Sequence, residues 1–192
     1  ELVLRDNVLQ NLALSMALER DHSVILVDGD VAKPHISRTL GLGSVPGLLD
    51  LIDSRSTDVE KVLVPTDLPG LSVLPVGRQS HQATEMLASE GMQSIIEALE
   101  GLDSRAIVLV DSPPMLVTSE ARVLASLFDQ VVLVVRAGGT PKQAVLDAIK
   151  LVGEGPEINI VLNQALHVGT GTYYGYGARY AYGEDTQGEA NA

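Results

Sequence analysis

The chain has 192 residues, 45% of them hydrophobic, enough for one domain with a buried core. A formal net charge of −12 argues against nucleic acid as a partner and against direct binding to anionic lipid, because both need a basic face. Without a single cysteine, disulfides and thiolate metal sites are excluded, and no apolar run is long enough to span a bilayer.

Helical spacing of apolar residues runs over 7–19, and residues 1–10 show no signal-peptide pattern. A continuous apolar run at 23–27 then reads as a strand buried on both faces. Residues 41–70 are rich in Gly and Pro and predict a loop excursion with one short helix near 47–52. Strand-like runs recur at 71–76, 106–110, 131–135 and 158–162, and helical spacing at 84–99, 119–127 and 142–152. Strands alternating with helices predict an α/β domain, its mostly parallel sheet flanked by helices, over residues 1–168. From 169 to 192 the composition turns to Gly, Tyr, Thr and acidic residues, which predicts a flexible tail. All five tyrosines of the chain fall there, at Tyr173, Tyr174, Tyr176, Tyr180 and Tyr182, interleaved with glycine. Core packing would scatter aromatic rings along the chain instead. A phenol on a mobile tail is within reach of a phosphoryl-transfer site. The plainer reading of the tail is a low-complexity self-association segment.

Ligands of parallel sheets sit at the carboxyl ends of the strands. The run at 24–27 ends in Asp28-Gly29-Asp30, and the run at 107–110 ends in Asp111-Ser112-Pro113-Pro114. One such Asp often only caps the following turn. Two together suit Mg²⁺, a hard cation usually held by one or two carboxylates plus phosphates. The four histidines show no metal-ligand spacing, and no Gly-x-Ser-x-Gly nucleophile string occurs.

At these residues the chain resembles the bacterial protein-tyrosine kinases (BY-kinases), relatives of the MinD/ParA ATPases with a P-loop NTPase fold. Val24 to Pro34, with Asp28, Asp30 and Lys33, is similar to their Walker A′ motif, and Val108 to Pro114 to their Walker B. Pro46-Gly47-Leu48-Leu49-Asp50, Leu74 to Arg78 followed by Thr84 to Ser89, Val134 to Thr140 and Val161 to Gln164 match further segments. The tyrosine cluster resembles the family's autophosphorylation tail. It is the feature that separates a kinase from a MinD-like ATPase switch.

The resemblance implies ATP and Mg²⁺ as cofactors. Asp28 and Asp30 would organise the metal and activate the attacking hydroxyl, and Asp111 would hold the metal. Asn163 would bond the adenine edge, with Lys33 and Arg136 as further nucleotide contacts or plain surface charges. The five tyrosines would accept phosphate in trans within a homo-oligomer. It also implies a transmembrane activator of the polysaccharide chain-length type, a role in exopolysaccharide export, and a cytoplasmic place at the inner membrane face through that partner.

One departure matters. Gly-x-x-x-x-Gly-Lys-Ser/Thr, whose backbone cradles phosphate, occurs nowhere in the 192 residues. Aligned without a gap, its Lys and Thr fall on Arg5 and Asp6. Three readings stand: the chain starts after or inside that loop, it closes over a further stretch, or it is a degenerate kinase fold serving as scaffold or phosphoacceptor. Losing the strand before the loop would leave neighbouring strands with unpaired buried backbone groups, on the order of 1–3 kcal/mol each. That cost weighs against the third reading.

Overall fold

The computed structural model describes residues 8–19 and 21–165, so the tyrosine stretch and the expected boundary at 168/169 lie outside the described residues. The described residues form six strands: β1 (Ser23–Asp28), β2 (Val64–Pro65), β3 (Leu71–Leu74), β4 (Ala106–Asp111), β5 (Gln130–Arg136) and β6 (Glu157–Asn163). The helices are α1 (Val8–Ala17), α2 (His35–Thr39), α3 (Leu48–Ser54), α4 (Ala83–Leu87), α5 (Glu90–Glu100), α6 (Ser119–Ala125) and α7 (Lys142–Val152). The main sheet has the order β2-β3-β1-β4. In it β1 runs parallel to β3 and β4, and β2 is an antiparallel edge.

Strand β1 is central, and its alternating side chains serve two cores. Ile25 and Val27 face a layer built from α3, α4 and α5, where Leu48, Leu87, Met92, Ile95 and Leu99 are fully buried. Val24 and Leu26 face Ala13 and Ala17 of α1 and Ile36 of α2. This is the burial on both faces that the continuous apolar run predicts.

Helix α3 is fastened to the loop after β3. Leu48 and Leu49 donate their amides to the carbonyls of Pro75 and Val76 at 2.8 and 2.9 Å. Asp50 accepts from the Gly47 amide at 3.0 Å, from the Arg78 amide at 3.0 Å and from Arg78 Nε at 2.6 Å. A side chain on Gly47 would meet the Pro75 carbonyl inside van der Waals contact.

The structure departs from the sequence pattern in three places. The helix expected over 84–99 is two, α4 and α5, because Ser89 is extended and its hydroxyl caps the Met86 carbonyl at 2.6 Å. The loop excursion contains the short strand β2. The largest departure is that β5 and β6 form a separate parallel pair. Their residues are not buried on both faces: Val132, Val134, Ile160 and Leu162 are 42%, 51%, 53% and 60% exposed. Between β4 and β5 lies a cleft of about 520 Å³, lined by Val110 and Asp111, by Val131 to Val135, by Val8 and Leu12 of α1 and by Val145 and Ala148 of α7. The main sheet thus ends at β4, whose residues are only half-buried.

Candidate active site

Register pairing sets Asp28 directly beside Asp111 at the carboxyl ends of β1 and β4. The Gly29 amide donates to the Asp111 carbonyl at 2.9 Å and ties the two tips together. A Cβ on Gly29 would lie 2.6 Å from that carbonyl oxygen, so the close approach requires glycine.

Asp28 is fully buried. Its Oδ2 accepts from the Ser37 amide at 2.7 Å, while Oδ1 has no hydrogen-bond partner among the described residues. Burial pushes the Asp28 carboxyl above the usual range; hydrogen bonds from Ser37 pull it back, and the like charge of Asp30 pushes again. Asp111 is pushed up to about 6, first by burial, then by the charges of Asp28 and Asp30, with His35 opposing. Asp30 sits at the edge of the pair, where its Oδ1 accepts from the Lys33 amide at 3.0 Å in a local turn.

A fully buried carboxyl beside a half-buried one, neither in an ion pair among the described residues, forms a site that a cation would complete. Among the described residues no group of three or more His, Cys, Asp or Glu could hold a metal. A pair with one orphaned buried oxygen nevertheless fits Mg²⁺, whose remaining ligands are commonly phosphate and water.

The other expected residues lie apart. Arg136 and Asn163 are register partners at the carboxyl end of the β5–β6 ribbon. Thr140 Oγ1 accepts from the Arg136 amide at 3.1 Å, and Asn163 Oδ1 accepts from the Gln164 amide at 2.8 Å. Lys33 is exposed and reaches the site through its backbone alone. The structure therefore unites Asp28, Asp30 and Asp111 on one sheet and Arg136 with Asn163 on the other. Sequence reasoning missed Ser37 and His35. Their signal is faint: both belong to a five-residue helix behind Pro34, too short to show periodicity.

A parallel sheet that presents a carboxylate pair at adjacent strand tips places the chain among the MinD/ParA-like P-loop α/β folds. Similarity to solved structures agrees: MinD of Pyrococcus horikoshii, solved with Mg-ADP, superposes with a TM-score of 0.59 over 80% of this chain and 62% of MinD, at 20% identity. The VpsO kinase domain is more similar, with a TM-score of 0.73 and 30% identity over 82% of this chain and 76% of that domain. CpsD of Streptococcus agalactiae, a tyrosine-protein kinase, is 28% identical over 170 residues, covering 87% of this chain and 72% of CpsD. EpsB of Ralstonia nicotianae is 30% identical over 158 residues, 82% of this chain, but the match spans only 20% of EpsB's length. No family model matches the chain. The chain belongs to the bacterial tyrosine-protein kinase family.

Proposed function

We propose that residues 1–168 form a kinase domain that transfers the γ-phosphoryl group of ATP to tyrosines of the tail 169–192. The observation that carries this is the Asp28–Asp111 pair, with one orphaned oxygen on the fully buried Asp28, in a chain whose five tyrosines are gathered at Tyr173, Tyr174, Tyr176, Tyr180 and Tyr182. In the reaction a phenol oxygen bonds to the γ-phosphorus, the bond to the β,γ-bridging oxygen breaks, and ADP leaves. Asp28 and Asp111 would hold Mg²⁺, and Asp28 and Asp30 would take the phenolic proton. Bound Mg²⁺ would offset the charge on the transferring phosphate. Asn163 would bond the adenine edge, with Lys33 and Arg136 as supporting contacts. Transfer in trans between subunits would load several phosphates, each of about −1.5 to −2 charges, onto a chain already at −12, which drives neighbours apart. A transmembrane partner of the polysaccharide chain-length type would hold the domain at the inner membrane face and link it to exopolysaccharide export.

The test incubates the protein with Mg-ATP and maps phosphotyrosine by mass spectrometry. Phosphate on residues 173–182, lost in Asp28→Ala and Asp111→Ala, is the expected result. A protein that binds ATP and leaves all five tyrosines bare would refute the autokinase. One observation favours a second reading, a scaffold that only accepts phosphate: the missing Gly-x-x-x-x-Gly-Lys-Ser/Thr string. In that case phosphate would reach the tail only when an active kinase of the family is added, and Asp111→Ala would not prevent it.

A further inference from the structure

Ser37 is a small polar residue at a fully buried position. Serine is mostly exposed in proteins, and a buried hydroxyl needs partners. Here the residue uses both of its polar ends. Its amide donates to Asp28 Oδ2 at 2.7 Å, and its Oγ accepts from the Val76 amide at 2.9 Å, both bonds being buried. The hydroxyl oxygen thus ties α2, and with it the amide that holds Asp28, to the loop after β3. The Val76 carbonyl accepts in turn from the Leu49 amide at 2.9 Å. A continuous line of hydrogen bonds therefore runs from the start of α3, through the loop after β3, to one oxygen of Asp28.

We propose that Ser37 is a positioning residue, which pins Asp28 Oδ2 to the loop after β3 and so leaves Oδ1 as the oxygen offered to a cation. The inference rests on the metal-site reading above. An unpinned carboxylate can rotate about its last torsion, which is broad and shallow for Asp. Pinning removes that freedom before a metal arrives. Partners that orient a metal ligand typically contribute ten- to a hundredfold in affinity.

The experiment uses the whole 192-residue chain with Mn²⁺ as probe, followed by water-proton relaxation. A second readout is the ¹³C resonance of the Asp28 carboxyl in metal-free buffer, which does not depend on catalysis. Ser37→Ala keeps the amide that holds Asp28 but cuts its tether to the Val76 amide, so it should weaken Mn²⁺ binding by up to about tenfold and move the Asp28 resonance. Ser37→Thr keeps the hydroxyl and should restore both. A thermal midpoint for each variant separates positioning from loss of fold. If Ser37→Ala binds Mn²⁺ like the parent and leaves the Asp28 resonance in place, the positioning role is overturned. If Asp28→Asn itself binds Mn²⁺ unchanged, the metal-site reading fails, and with it the proposal. The Asp28→Asn control tells the two failures apart.

Discussion

Asp111 carries a stability cost that pH should reveal. Its carboxyl titrates near 6 in the fold against an ordinary 3.8, a gap of about 2 pH units. Each unit is worth about 1.4 kcal/mol, which bounds the effect near 3 kcal/mol. Partial exposure of the residue screens its charge, so about 1–3 kcal/mol is the working range. The folded pKa is the higher one. Below about pH 3 both states are protonated and the cost is absent. Between about 4 and 6 the folded state keeps a proton that the unfolded state has lost, and stability falls as pH rises. Above about 7 the full cost stands. Asp111→Asn removes the charge at nearly constant shape. Urea unfolding in metal-free buffer should therefore show no difference between variant and parent near about pH 3, and a more stable variant by about 1–3 kcal/mol near pH 7.5. Taking the difference cancels the carboxylates that do not interact with Asp111. A gap that stays constant across pH, or a less stable variant at pH 7.5, would refute the reasoning.

The fastening of α3 supplies two further predictions. Asp50→Ala leaves three donors without their acceptor and should cost about 1–2 kcal/mol in urea unfolding. Arg78→Ala should barely move the midpoint, because that side chain is 82% exposed. Burial raises the Asp50 carboxyl, but hydrogen bonds from Arg78 and Gly47 outweigh it and hold the carboxyl below its usual range. Its contribution is therefore present above about pH 4 and is lost as pH falls below that. Gly47→Ala places a methyl against the Pro75 carbonyl and should cost more than Asp50→Ala, read as a larger drop in thermal midpoint.

The carboxylate pair was legible in the sequence because each of two continuous apolar runs ended in Asp. Register then did the rest: β1 and β4 pair residue for residue from Ser23↔Ala106 to Asp28↔Asp111. Val131 to Val135 read the same way and is not buried the same way, since composition carries no information about what lies alongside a strand. The division at Ser89 was hidden because both halves keep helical spacing across it. Ser37 was hidden for a different reason. Its partners, Asp28 and Val76, stand 9 and 39 residues away, and nothing local marks a serine for burial.

The division of the sheet has a consequence for cooperativity. Within the main sheet, backbone hydrogen bonds make β3, β1 and β4 one unit, so opening any of them disturbs the others. Among the described residues the β5–β6 pair shares no strand pairing with that unit; α7 packs on β5 and meets α6, which packs on α4. Two-stranded pairs alone are marginal in water. Backbone pairing thus holds the carboxylates in one block, while Asn163 and Arg136 stand on a ribbon that no strand pairing among the described residues joins to it.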